Sequence, residues 1–254
     1  MNVTGAASKI KGIAAYIAAA VFVVALTAFC RYIDGVFFTQ ALPFRPAELA
    51  AEALIIISAV KYIAKNTHKI DIKAVKRHIP VAVIPLLLVF AAFFCMPATA
   101  EPKLFFAVLV DTFSTSFAED LMLCAVGCTL LIHKNKMNGA AVFLMLLCMA
   151  VYDAALSGET PDELVFSVPA ALVIGFFEIY LHLSTESSLF CAAFHFLLKA
   201  MTGFPSFTSA KTEPFIGVDA SVVLYILSLS VMAVLGFIMR EKRKTRMLED
   251  TEFD

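Results

Sequence analysis

The chain has 254 residues, 61% of them hydrophobic and only 16% charged, with a formal net charge of −1. A soluble domain is ordinarily about 45–50% apolar and about 25% charged, so the composition excludes an ordinary soluble globule and points to an integral membrane protein. Twenty-four Phe and no Trp fit a lipid-facing surface, and because the net charge says little about partners, the placement of the charges carries the information.

A membrane-spanning helix needs about 20 largely apolar residues. Eight segments qualify, at roughly 12–30, 46–64, 79–96, 104–132, 139–153, 164–183, 187–203 and 217–239. The expected fold is all-α: one polytopic membrane domain over 1–254, a bundle of about eight transmembrane helices with a tail at 240–254. The first run is long and lacks a small-residue cleavage site, so it reads as a retained span rather than a signal peptide. The fourth is too long for one straight crossing and carries Asp111, Ser114, Thr115 and Ser116, which predicts a bend or break there. The fifth is short.

Eight spans put both termini on one side. That side then carries fifteen Lys and Arg, in 9–11, 61–77, 134–136 and 240–246, against Arg31, Arg45, Lys103 and Lys211 on the other. Basic loops stay cytoplasmic, so the expectation is an integral protein of a bacterial plasma membrane with both termini cytoplasmic. The acidic loop Gly158–Glu163 falls outside. The basic half of the tail can meet anionic lipid. As the basic loop and tail read as topology signals, the bilayer is the expected partner and nucleic acid is not. The six Cys (30, 95, 124, 128, 148 and 191) all lie in or beside apolar runs, and read as small buried hydrophobes rather than disulfides or a metal site.

Ionisable groups at membrane depth are costly and tend to mark a functional interior. Here they are Asp111, Glu119 and Asp120 in span four, Asp153 beside Tyr152 at the end of span five, Glu178 and His182 in span six, and His195 and Lys199 in span seven. Ser116 and Glu119 have capping-box spacing, which fits a helix start at Ser116. That leaves Asp120 unexplained, since it points about 100° away around a helix. Two acids in a low-dielectric interior call for a cation or metal beside them, and such an acid can act as a general base on water. Glu178 and His182 are four residues apart and can pair with each other. His195 and Lys199 share a face in the same way and suggest a polar cavity.

The order of these residues resembles the CPBP family of intramembrane proteases, which includes CAAX prenyl proteases and bacteriocin-processing or Abi proteins. That family carries Glu-Glu-x-x-x-Arg, Phe-x-x-x-His and His-x-x-x-Asn on separate membrane helices. "FAEDLMLCAVGCTLL" (117–131) resembles the first motif and its helix, and "STESSLFCAAFHFLLK" (184–199) resembles the turn and helix of the third. The likeness covers residues 104–203. It gives Glu119 the role of activating the attacking water, with Asp120 as its supporting acid and His195 as the third-motif His. Cys124 stands where the family has Arg, and Lys199 where it has Asn. His182 is too close to His195 to be the second-motif His. That position falls in "LLCMAVYDAALSG" (146–158), on Tyr152 or on Asp153 one residue later.

The resemblance implies acid and His residues that position water, and in some accounts a metal, beside a peptide carbonyl. One His is gone here, so zinc would find an incomplete ligand set; Tyr152 is a poor zinc ligand and Asp153 a better one. Three functions follow as expectations. The chain is an impaired homologue that binds a membrane partner, an altered endopeptidase that cuts a peptide at the membrane, or a small transporter or transporter-associated subunit with a polar solute path.

Overall fold

The computed structural model describes residues 3–37, 45–66, 72–93, 102–132, 139–156, 160–203 and 218–252. Among these there is helix and no strand. The order is α1 (Val3–Phe37), α2 (Pro46–Asn66), α3 (Ile72–Phe93), α4 (Pro102–Glu119), a π-helical segment (Asp120–Ala125), α5 (Val126–Leu131), α6 (Gly139–Leu156), α7 (Pro161–Thr185), α8 (Ser188–Gly203) and α9 (Val218–Glu252). Cys95, Lys69, Lys134, Lys136 and Lys211, used above for the cysteine and topology readings, lie outside the described residues.

Each predicted span corresponds to a helix, but among the described residues six stretches are both long and apolar enough to cross a membrane: Lys11–Phe37, Ile72–Ala92, Phe106–Leu131, Gly139–Leu156, Pro161–Thr185 and Val222–Thr245. The other two are α2, which carries Glu48, Glu52, Lys61 and Lys65, and α8, which has 16 residues. The protein is therefore a helical membrane bundle with six such spans among the described residues. Its surface agrees: Phe22, Phe29, Leu54, Phe106, Phe143 and Phe166 all face outward, which in water would be a costly apolar coat.

The rod formed by α4, the π segment and α5 is the centre of the bundle. In its apolar window 72% of residues are buried inside the protein, against 22% for α1, α3 and α9. Around it α8 packs on α4, α2 on α4, and α1 on α5 and α6, while α3 and α7 both pack on α9. The most polar apolar helix is thus the one furthest from lipid, as the cost of buried charge requires.

The predicted break at Thr115–Ser116 does not occur. The helix runs through Ser116 to Glu119 and widens at Asp120 instead. Ser116 is fully buried in mid-helix and its hydroxyl has no partner, so it caps nothing. The same pattern does cap a helix at Thr160–Glu163, where Pro161 occupies the first turn and the Thr160 N–H donates to Glu163 Oε2 at 2.7 Å. The π segment is held from outside the rod: the Tyr16 hydroxyl on α1 donates to the Leu123 carbonyl at 2.9 Å. Against the same ring, Gly127 leaves room for Tyr16 and the Met145 side chain.

The chain turns from α7 to α8 in two residues. Glu186 adopts a left-handed conformation (φ 52°) and its N–H donates to the His182 carbonyl at 2.8 Å. Ser187 then caps α8, its hydroxyl accepting from the Phe190 N–H at 3.3 Å. This tight turn sets α7 and α8 side by side against the π segment.

Candidate functional site

Glu119 and Asp120 are consecutive and both fully buried. Side chains one residue apart on a helix diverge by about 100°, so the two acids meet different neighbours where α4 opens into the π segment. Glu119 faces α8. Its Oε2 accepts from Lys199 Nζ at 2.5 Å and lies 3.2 Å from His195 Nε2. Asp120 faces the junction of α7 and α8, with Glu178 and His195 among its charged neighbours.

His195 has an acid on each side and hydrogen-bonds one of them. Its Nδ1 lies 2.7 Å from Glu178 Oε1 and its Nε2 turns to Glu119. The expected Glu178–His182 pair does not form. Both lie on α7, but Glu178 bonds His195 across the turn, while His182 is buried near Arg243 of α9, whose guanidinium donates to the Leu183 carbonyl. The i,i+4 spacing allowed the intrahelical pair, and the tight α7–α8 turn offered Glu178 a buried imidazole instead.

Lys199 bridges two acids, because its Nζ also donates to Asp153 Oδ1 of α6 at 2.6 Å. Tyr152, next to Asp153, points the other way. It is fully buried, and its hydroxyl lies among Thr27, Glu52 and Glu119 without a well-formed hydrogen bond. Glu119, Asp120, Asp153, His195 and Lys199 therefore converge with Glu178 on one polar centre, and Tyr152 closes its far side. Cys124, one turn after Asp120, is buried and supplies no charge.

The centre opens onto a cavity of about 180 Å³. Its polar lining is Asp153, Ser167, His195, Lys199 and Thr202, and Ala170, Ala171, Ile174, Leu198 and Tyr225 supply the rest. Four carboxylates, one ammonium and one imidazole share this region. The unpartnered atoms of this centre are Glu119 Oε1, both oxygens of Asp120, Glu178 Oε2, His195 Nε2 and the Tyr152 hydroxyl.

A second polar cluster joins α1, α2 and α4. Asp34 caps α2 from α1, its two oxygens accepting from the N–H groups of Ala47 (3.0 Å) and Glu48 (2.8 Å). Fully buried Glu48 binds Arg31, which also donates to the Leu156 carbonyl at the end of α6. Glu52 accepts from Ser114 and from Thr115 at 2.8 Å. Arg31, an outer-loop charge by sequence, is thus a partner of a buried acid, and Glu48 and Glu52 are site residues that sequence reasoning misses. The available signal was that both acids sit within a predicted span, four residues apart.

No protein-family model, curated protein or solved structure matches the chain. The resemblance to intramembrane proteases rests on the residues and spacings alone.

Proposed function

We propose that this chain is a divergent CPBP-type, CAAX-protease-like membrane protein that binds a peptide or the flank of a membrane partner and does not cut it. The observation that carries this reading is the Lys199 ammonium seated between Glu119 and Asp153, at 2.5 and 2.6 Å. A general base must offer a lone pair to water. Glu119 Oε2 is committed to Lys199 and faces His195 as well, and a carboxylate stabilised by an ammonium is a weak base. His195 already hydrogen-bonds Glu178 through its Nδ1. The residue that would offer an amide to an oxyanion is Lys199 itself. The cavity, lined by both polar and apolar side chains, suits a peptide segment with a donor or carboxylate at its tip.

The reading extends to topology: eight crossings, with α2 and α8 completing the bundle, and both termini cytoplasmic in a bacterial plasma membrane. The fifteen-to-four split of basic residues supports it.

One atom favours an altered peptidase instead. Glu119 Oε1 is buried without a partner, and a water held there would lie beside the candidate base. The two readings separate in one assay: purified full-length protein against a quenched fluorescent peptide library, beside Glu119→Ala and His195→Ala. The expected result is no hydrolysis that either substitution removes. Cleavage by the wild type that both variants lose would overturn the binding reading in favour of the peptidase.

A further inference from the structure

We propose that Asp120, Glu178 and His195 form a binding site for one divalent transition-metal ion, with Glu119 as the outer carboxylate that orients His195. One donor atom from each of the three lies within 4.8 Å of the other two, and all three residues are buried. They come from the π segment, α7 and α8, so the site lies where three elements of the bundle meet.

An acidic cluster alone would not carry this. The second observation is that the acids are unserved. Neither oxygen of Asp120 has a hydrogen-bond partner, nor does Glu178 Oε2, and both residues have no exposed surface. Buried carboxylates without partners are costly and call for an explanation. Lys199 does not supply one, since its ammonium is engaged by Glu119 and Asp153. A proton shared between Asp120 and Glu178 would serve those two acids alone, whereas one divalent ion meets Asp120, Glu178 and the imidazole together.

The donor set indicates the class of ion. Two carboxylates with one imidazole suit zinc, manganese or iron, whereas magnesium and calcium favour all-oxygen shells. The second sphere fits as well. Metal-bound His residues characteristically donate their other ring N–H to a carboxylate. Here His195 Nε2 lies 3.2 Å from Glu119 Oε2 without a formed hydrogen bond, so with Nδ1, on the Glu178 side, turned to the ion, this is the contact that would close into one. The entering ion displaces the proton between Nδ1 and Glu178, as metal binding generally releases protons. Three protein donors leave a coordination position open, and His195 lines the cavity, so a donor atom of a bound partner can complete the shell. The inference is independent of the binding reading above: a chain that cuts peptide and holds the ion would lose that reading and keep this one.

The test is metal content of the full-length protein in detergent, stripped with chelator and dialysed in parallel against Zn²⁺, Mn²⁺ and Co²⁺. The expected result is about one ion per chain, reduced to background by Asp120→Asn and by Glu178→Gln and retained by Asp153→Asn. Glu119→Gln should weaken affinity about 10–100-fold. The Co²⁺ form should show d–d absorption without a thiolate charge-transfer band. Three results would overturn the proposal: background metal in the wild type for all three ions, occupancy that survives both Asp120→Asn and Glu178→Gln, or a cobalt–thiolate band implicating Cys124, Cys128 or Cys191. Gel filtration checks folding. Where Asp120→Asn elutes as aggregate, Glu178→Gln and the wild-type cobalt spectrum decide the matter.

Discussion

The ion pair between α4 and α8 makes an asymmetric prediction. Lys199→Met leaves two carboxylates, Glu119 and Asp153, without their ammonium. Glu119→Gln leaves Lys199 still bonded to Asp153. Breaking a buried pair by removing one partner costs about 3–5 kcal/mol. Glu119 is fully enclosed but the Lys199 and Asp153 side chains are 26% and 31% exposed, so water takes up part of the loss and the lower end, about 3 kcal/mol, applies to Lys199→Met. Glu119→Gln should cost about 1–2 kcal/mol, because its lysine keeps a partner and the amide can still accept a hydrogen bond. Contacting residues couple by about 0.5–3 kcal/mol, so the double variant should be less damaged than the sum of the two. For a chain of this size about 3 kcal/mol corresponds to a fall in Tm of about 6–12 °C. A maleimide dye that reports exposure of buried Cys124, Cys128 and Cys191 on heating measures all four proteins. Strictly additive losses, or Glu119→Gln costing more than Lys199→Met, would refute the pairing argument.

Two other substitutions test the local geometry. Glu186 holds a left-handed conformation that costs an L-residue roughly 1–2 kcal/mol and costs glycine little, so Glu186→Gly should raise Tm in the same assay by a few degrees, and a fall would refute the strain argument. At Gly127 an added Cβ would lie 2.9 Å from Tyr16 Cε2 and 3.0 Å from Met145 Cε. The methionine tip can yield, but the Tyr16 ring is tied by its hydroxyl to Leu123, so Gly127→Ala should cost about 1–3 kcal/mol, and the wild-type Tm in that variant would show that the ring is not fixed.

The helices were legible because apolar run length is nearly sufficient to specify a membrane helix, and the polar residues at depth could be picked out because each breaks such a run. What periodicity could not supply was where the continuous rod would change its pitch. Ser116 and Glu119 have the spacing of a cap, as do Thr160 and Glu163, yet only the second pair caps a helix. The difference lies in context: Pro161 and a preceding loop at one site, uninterrupted burial at the other. The partner of Glu178 was hidden for a related reason. Sequence spacing ranks neighbours on one helix, and the two-residue turn at Glu186 and Ser187 brought a residue 17 positions away closer than the one four positions away. Asp34 capping α2 from α1 is the same kind of contact, set by helix packing rather than by local pattern.

On the proposed kinship, two departures from the protease motifs can be compared in space. Cys124 stands where the motif carries its arginine, on the same rod as the acids, and the structure has no cation there. The cation that serves Glu119 arrives from α8, 80 residues away in sequence, at the position where the motif carries an amide. On the proposed kinship, a positive charge has moved from behind the acids to the cavity side of the site. A charge behind the base can tune it and leave its working face free, whereas a charge on the cavity side occupies the place where water and a carbonyl would meet. On that kinship the exchange keeps a cation on Glu119 and gives up the space that hydrolysis requires. Cys124→Arg combined with Lys199→Asn should then keep the bundle folded while exposing Glu119 to the cavity, and either single change should be less stable than the pair. A double variant no more stable than Lys199→Asn alone would show that the two positions do not compensate.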